Sequence, residues 1–215
     1  MRPTSSIRTV LTVNKRRISL LLILCGLLLA AVAVALGAYN LWDDQRAGAE
    51  AESALKKIVQ HREKVAAAPG QETSPEPTPD PDKRPVLEMD GYRCIGTISI
   101  PVIDVELPVQ DSWSPSLLKA SPCCYKGTVY CGDLIICARN YAAHFGRLKN
   151  LLPGDEVIFT DIDGNEFHYT VTEIDTLAGT AAEEMESGQW DLTLFTTPEG
   201  RTRVTVRCDL TESVC

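Results

Sequence analysis

The chain has 215 residues, of which 44% are hydrophobic, and it carries a formal net charge of −8 at pH 7. This length allows one compact domain with extensions. The first seventeen residues carry five basic and no acidic side chains, which leaves −13 for the remainder. An acidic domain of this kind argues against nucleic acid as a partner.

The N-terminal segment has the pattern of a membrane anchor. Residues 18–42 include no charged side chain, and about 20 apolar residues suffice to cross a bilayer as a helix. The alternative is a cleaved signal peptide, but its apolar core usually spans only about 7 to 15 residues. Because basic residues precede the anchor, we expect residues 1–17 to lie in the cytoplasm and the C-terminal domain to be extracellular.

Two segments of different composition follow the anchor. Residues 43–68 are rich in Ala, Glu, Lys and Arg, with apolar residues at helical spacing, which predicts a solvated helical stalk. Residues 69–86 hold six prolines among polar residues, a composition too poor in apolar side chains to build a core. The second segment is therefore predicted to be an extended linker between the stalk and the domain.

Residues 87–215 consist of short segments rich in β-branched and aromatic residues, separated by Gly, Pro and Asp. This pattern predicts an all-β fold, a small closed barrel of about seven or eight strands with short helices. The polar segment 161–165 predicts a hairpin turn. Strands are predicted at 94–100, 105–109, 134–137, 156–160, 166–175, 191–195 and 203–208, and short helices at 142–151 and 181–186.

Several motifs in this region resemble those of one enzyme family. The segments Ile-Ile-Cys-Ala-Arg-Asn-Tyr-Ala-Ala-His-Phe-Gly (135–146) and Leu-Thr-Leu-Phe-Thr-Thr-Pro (192–198), read with Arg203, are similar to the two active-site segments of sortases. Ile-Gly-Thr-Ile-Ser-Ile-Pro (95–101) and Leu-Leu-Pro-Gly-Asp-Glu-Val (151–157) match other family segments in the family order. The resemblance covers residues 91–208, and the anchor and stalk agree best with the layout of class B sortases.

The resemblance implies a membrane-anchored cysteine transpeptidase. In that family a Cys thiolate attacks the carbonyl after the Thr of a sorting-signal peptide, a His transfers protons, and an Arg stabilises substrate or oxyanion. The acyl group then passes to an amine of a cell-wall precursor or a pilin. The family pattern places the Arg role on Arg203, the His position on Arg139 and the Cys position on Thr197. A second alignment has one residue deleted between Thr196 and Thr197, and it supplies no thiol either.

These replacements change the chemistry that the site can perform. A guanidinium with a pKa above about 12 stays protonated, so Arg139 cannot act as a general base. The hydroxyl of Thr197 is a weak nucleophile without an adjacent base. One hypothesis is therefore a binding or scaffold pseudoenzyme; the alternative is an active transpeptidase with a rewired or misread nucleophile, for which His144 is the nearest base. Asn140, His144 and Thr196 are further cleft candidates.

The cysteines provide no metal site by their spacing, and we expect neither a metal nor a cofactor. Most are expected to pack as small apolar residues, with a disulfide between Cys131 and Cys137 as one possibility. Cys137 lies two residues from Arg139, where a cation can lower a thiol pKa, but its strand position favours the core.

Overall fold

A computed structural model describes residues 6–66, 85–89, 92–187, 189–197 and 201–214. The chain divides into two compact units, Met1–Asp43 and Asp44–Cys215, and helix α1 (Ser6–Ala66) contributes to both. In the first unit, Ile18–Tyr39 has a mean hydropathy of 2.9, so this helical segment is long and apolar enough to cross a bilayer. The expected Pro-rich linker lies outside the described residues except for its last two, 85 and 86.

The second unit is built around a closed barrel of eight strands. The sheet runs in the order β1-β2-β3-β4-β5-β8-β9-β7-β6, and β2 also pairs with β6, which closes β2 to β9 into a ring. The predicted all-β barrel with short helices is confirmed. The strands are β1 Leu87–Met89, β2 Tyr92–Ile100, β3 Val105–Gln110, β4 Cys123–Lys126, β5 Leu134–Ala138, β6 Glu156–Asp161, β7 Glu166–Ala178, β8 Leu192–Thr196 and β9 Thr202–Val214; the short helices are α2 Leu117–Ala120, α3 Ala182–Met185 and 3-10 turns at Pro101–Ile103, Val129–Cys131 and Phe145–Asn150.

Side chains on the two faces of the barrel wall alternate, as they must along a strand. Leu192 and Leu194 of β8 belong to the large interior core, whereas Phe195 lies on the opposite face. A second group of buried apolar side chains covers that outer face, and we call it the outer cluster. Its members are Leu118, Cys123, Ile135, Cys137, Met185 and Phe195.

Residues 44–66 of α1 do not form a solvated stalk, because one helical face is buried within the second unit. Small side chains at spacings of three and four residues let the helix approach closely, and Ala51 belongs to the interior core cluster. The expectation of a solvated stalk was wrong. Alanines at helical spacing are only weakly hydrophobic and do not mark a buried face in the sequence, yet here they pack against the rest of the second unit. The buried residues of this face are Ala47, Ala51, Ala54 and Ile58.

Arg62, one turn beyond Ile58, ties the same part of the helix to the barrel. Its Nη2 donates to the carbonyl oxygens of Thr160 and Asp161, at 2.9 and 2.6 Å, and to Thr97 Oγ1 at 3.3 Å. Burial lowers the pKa of Arg62, and Asp161 is the largest influence that opposes this shift. Polar and apolar contacts therefore both fix residues 44–66 on the barrel.

The packing of α1 can be tested at two consecutive positions. Ile58 is fully buried, so Ile58→Ala should lower the free energy of unfolding of the second unit by about 2–5 kcal/mol. The neighbouring Val59 is 40% exposed, and Val59→Ala should change it by less than about 0.5 kcal/mol. Unfolding of the full chain in detergent, followed by near-UV circular dichroism, measures both. Equal effects would mean that the helix is solvated after all.

Candidate active site

The parallel pairing of β5 with β8 brings the two family segments together. The register runs from Leu134 opposite Leu192 to Ala138 opposite Thr196. The backbone N–H of Thr197 then donates to the carbonyl oxygen of Ala138 at 2.8 Å. Arg139 and Thr197, the residues that follow these two strands, therefore occupy neighbouring positions.

The antiparallel pairing of β8 with β9 adds Arg203 to the same row. Phe195 lies opposite Thr205, so continuing this register by two residues places Arg203 beside Thr197. The hydroxyl of Thr196, which is buried, accepts a hydrogen bond from the backbone N–H of Val204 at 3.0 Å and thereby holds the two strand ends together. We call Arg139, Thr197 and Arg203 the basic row.

The guanidinium groups of the basic row reach loops on its two sides. Arg139 donates from Nη2 to the carbonyl oxygen of Pro115 at 3.4 Å, and its guanidinium carbon lies 6.0 Å from the ring centroid of Tyr141. Arg203 donates from Nη2 to the carbonyl oxygen of Gly179, and its guanidinium carbon lies 5.2 Å above the ring of Phe195. Both cations thus rest on carbonyl dipoles and aromatic faces, and all three side chains of the row are partly exposed.

The segment after β5 separates the other candidate residues. Asn140 is exposed next to the row, whereas the side chain of His144 is fully buried, with its ring centroid 5.5 Å from that of Tyr141. The chain turns so tightly here that a Cβ on Gly146 would lie 2.7 Å from the carbonyl oxygen of Tyr141. The structure therefore places Asn140 at the surface and His144 in the interior.

Cys137 lies two residues before Arg139, on the same face of β5, and belongs to the outer cluster. It is directly opposite Cys123 of β4, and both thiols are free, as are those of the other described cysteines. The possible disulfide with Cys131 is not formed; Cys131 is free and exposed, and Cys137 is free and buried. Burial raises the pKa of Cys137, with neighbouring thiols adding to the effect, and the opposing influence of Arg203 is smaller. This thiol is therefore protonated at neutral pH and is not an activated nucleophile.

The sequence motifs did not single out Arg207. Arg207 is only 4% exposed and donates to the carbonyl oxygens of Met185 and Glu184, at 2.7 and 2.6 Å, and to Thr193 Oγ1 at 3.0 Å. Burial lowers its pKa. The available signal was the alternation along β9, which puts Arg207 on the same face as Arg203. Arg201, by contrast, is exposed.

Residues 179–187, which we call the covering loop, close over the outer cluster. Arg203 and Arg207 hold this loop through the hydrogen bonds described above. A further tie comes from Glu186 of the loop, which accepts hydrogen bonds from the hydroxyl of Tyr125 at 3.0 Å and from Lys126 Nζ at 2.9 Å. The hydrogen bond from Lys126, followed by that from Tyr125, lowers the pKa of Glu186. Met185, fully buried, packs into the cluster beneath the loop.

Comparison with known proteins identifies the family. A sortase domain model matches residues 98–211, which is more than half of the chain and includes the whole basic row. The chain belongs to the sortase family. No curated protein gives a significant match to the sequence of this family member.

Solved sortase structures share the fold. Sortase C of Streptococcus pneumoniae matches at 22% identity with a TM-score of 0.52, over 76% of this sortase-family chain and 91% of its own. A Clostridium perfringens sortase D5 transpeptidase matches at 18% identity with a TM-score of 0.51, over 76% of this chain and 96% of its own. Listeria monocytogenes sortase A matches at 22% identity with a TM-score of 0.51, over 56% of this chain and 89% of its own. At these identities the structures support the fold alone. Within the described residues, no cluster of His, Cys, Asp or Glu has the composition of a metal site.

The inertness of Cys137 can be tested by alkylation. With N-ethylmaleimide at pH 8, we expect the exposed Cys131 to react at least about a hundred-fold faster than Cys137, because burial keeps the latter thiol protonated and covered. Peptide mapping of the full chain by mass spectrometry measures both rates in one sample. Comparable rates would show an accessible thiolate at Cys137 and would restore it as a candidate nucleophile.

The role of Arg207 can be tested by hydrogen exchange. Arg207→Met should speed the exchange of backbone amides in the covering loop by more than about ten-fold, because hydrogen bonds from a charged group are worth about 1.5–3 kcal/mol. Arg201→Met removes the same charge from an exposed position and serves as the control. Unchanged loop exchange in Arg207→Met would mean that packing of Met185 alone holds the loop.

Proposed function

We propose that this sortase-family chain is a membrane-anchored, extracytoplasmic pseudoenzyme that binds sorting-signal peptides without cleaving them, as a recognition or scaffold protein similar to class B sortases in layout. The apolar helical segment Ile18–Tyr39, preceded by five basic residues, supports an N-terminus in the cytoplasm and a barrel outside the membrane.

The composition of the basic row carries this proposal. Transpeptidation requires a nucleophile and a group that accepts and returns a proton, and the row offers a threonine hydroxyl between two guanidinium groups. A guanidinium has no lone pair to serve as a base near neutral pH. The two other candidates, the imidazole of His144 and the thiol of Cys137, are buried. The row therefore retains groups that bind and lacks groups that react.

The surroundings of the row support peptide binding. Trp113 is 50% exposed and stacks on Tyr125 with ring centroids 5.9 Å apart, and Tyr125 in turn meets the edge of Phe195 at 5.4 Å. These aromatic side chains lead from the surface to Arg203, whose guanidinium lies over Phe195. They offer apolar contact area next to a cation, a combination that suits an extended peptide.

Restoring a histidine and a cysteine by mutation tests the loss of catalysis. The natural full chain in detergent should not cleave a library of internally quenched peptides with randomised positions around one fixed threonine. The double variant Arg139→His with Thr197→Cys restores a base and a thiol to the row, and we expect it to exceed the natural chain by at least about a thousand-fold in rate. A second variant, with Arg139→His and a Cys inserted between Thr196 and Thr197, covers the other alignment.

Two controls make the outcome decisive. Arg139→His alone should stay inactive, because the nucleophile is still missing. Turnover by the natural chain that is abolished by Thr197→Ala would overturn the pseudoenzyme proposal and establish the active alternative, in which an amine of a cell-wall precursor or a pilin accepts the peptide.

A further inference from the structure

The two cations of the basic row have no described anionic partner. Arg139 and Arg203 contact carbonyl oxygens and aromatic rings, and within the described part of the chain neither forms an ion pair. The Nε atoms of both are buried and make no hydrogen bond there. Partly buried cations without an opposite charge are unfavourable, so this site favours a negatively charged ligand. The contrast is notable in a chain whose net charge is −8.

The spacing and exposure of the two arginines indicate which kind of anion the row can bind. Strands in a sheet lie about 4.8 Å apart, so the backbones of Arg139 and Arg203 are about 10 Å apart with Thr197 between them. This gap is open to solvent, since all three side chains are partly exposed. Guanidinium groups present forked donors that match a carboxylate in geometry and charge. An uncleaved peptide offers only a neutral carbonyl at the same place.

We infer that the basic row binds the free α-carboxylate at the C-terminus of a peptide that has already been cut, and that it prefers such a peptide over the uncleaved one. This inference rests on the proposed peptide-binding function and specifies its ligand. The aromatic side chains of Trp113 and Tyr125 contact the residues before the carboxylate. The chain is thus a receptor for the product of peptide cleavage.

The charge of the row makes this preference intrinsic. A guanidinium stays protonated throughout the physiological pH range, so the row keeps both positive charges, whereas a histidine and a thiol would supply none when neutral. Charge-assisted hydrogen bonds are about twice as strong as neutral ones. We therefore expect the free acid to bind about ten-fold more tightly than its amide, which corresponds to about 1.4 kcal/mol.

Three matched peptide libraries test the inference. Each consists of N-acetylated, fluorescently labelled peptides with three randomised positions before a threonine; the threonine ends in a free carboxylate, in a carboxamide, or in a following glycine amide. Fluorescence polarisation with the full chain in detergent at 150 mM salt gives the relative affinities. The expected result is about ten-fold tighter binding of the acid than of the other two.

Variants locate the preference. Arg139→Gln and Arg203→Gln should each remove most of the ten-fold difference, whereas Arg201→Gln, which removes an exposed charge two residues from Arg203, should preserve it. Loss of the preference in Arg201→Gln to the same degree would indicate general charge attraction and overturn the assignment to the row.

The libraries also separate the two levels of the proposal. Equal affinity for acid and amide would overturn the carboxylate preference and leave peptide binding intact. Absence of binding by all three libraries would overturn the proposed function itself, and the inference with it.

Discussion

The parallel pairing of β5 with β8 is the constraint on which the site depends. Most neighbouring strands of this barrel run antiparallel, but these two end side by side, with Ala138 opposite Thr196. Residues 58 positions apart in sequence therefore become neighbours, and the antiparallel β9 adds a third. A slip of one residue would turn Arg139 or Thr197 to the interior, because side chains alternate between the two faces. The register thus keeps these three residues together in one row.

The fold does not depend on the side chains of Arg139 and Thr197. The strands are held by the interior core and by contacts such as that of Thr196 with Val204, none of which involves the side chain of Arg139 or Thr197. Arg139 follows the last residue of β5 and is partly exposed, so its large side chain fits there without displacing the core. Substitution at these two positions can therefore leave the architecture of the barrel unchanged.

Most strands of the barrel could be predicted because their sequence patterns are strong. The elements that were not predicted have weak patterns. All seven predicted strands are present, because β-branched and aromatic runs between turn residues are distinctive. β4 was missed since it has four residues and follows a proline, and it meets β3 only where Cys123 pairs with Gln110. The predicted helix at 142–151 is a shorter 3-10 turn, Phe145–Asn150, because the chain first folds back on the carbonyl of Tyr141. A strand with a single-residue bridge and a tight local turn both leave little trace in the periodicity of the sequence.

The sequence indicated which residues meet at the strand ends but not what surrounds them. The motifs named Arg139, Thr197 and Arg203, which the strand pairing brings into one row, yet only the structure shows that Arg207 is buried beneath the covering loop. Both arginines lie on one face of β9 and donate to carbonyls of that loop, Arg203 at Gly179 and Arg207 near Met185. An anion that draws the guanidinium of Arg203 away from Gly179 would loosen one end of the loop while Arg207 holds the other. If the row binds a carboxylate as proposed, the charge of the ligand and the position of the loop would be coupled through β9 alone, with no rearrangement of the barrel.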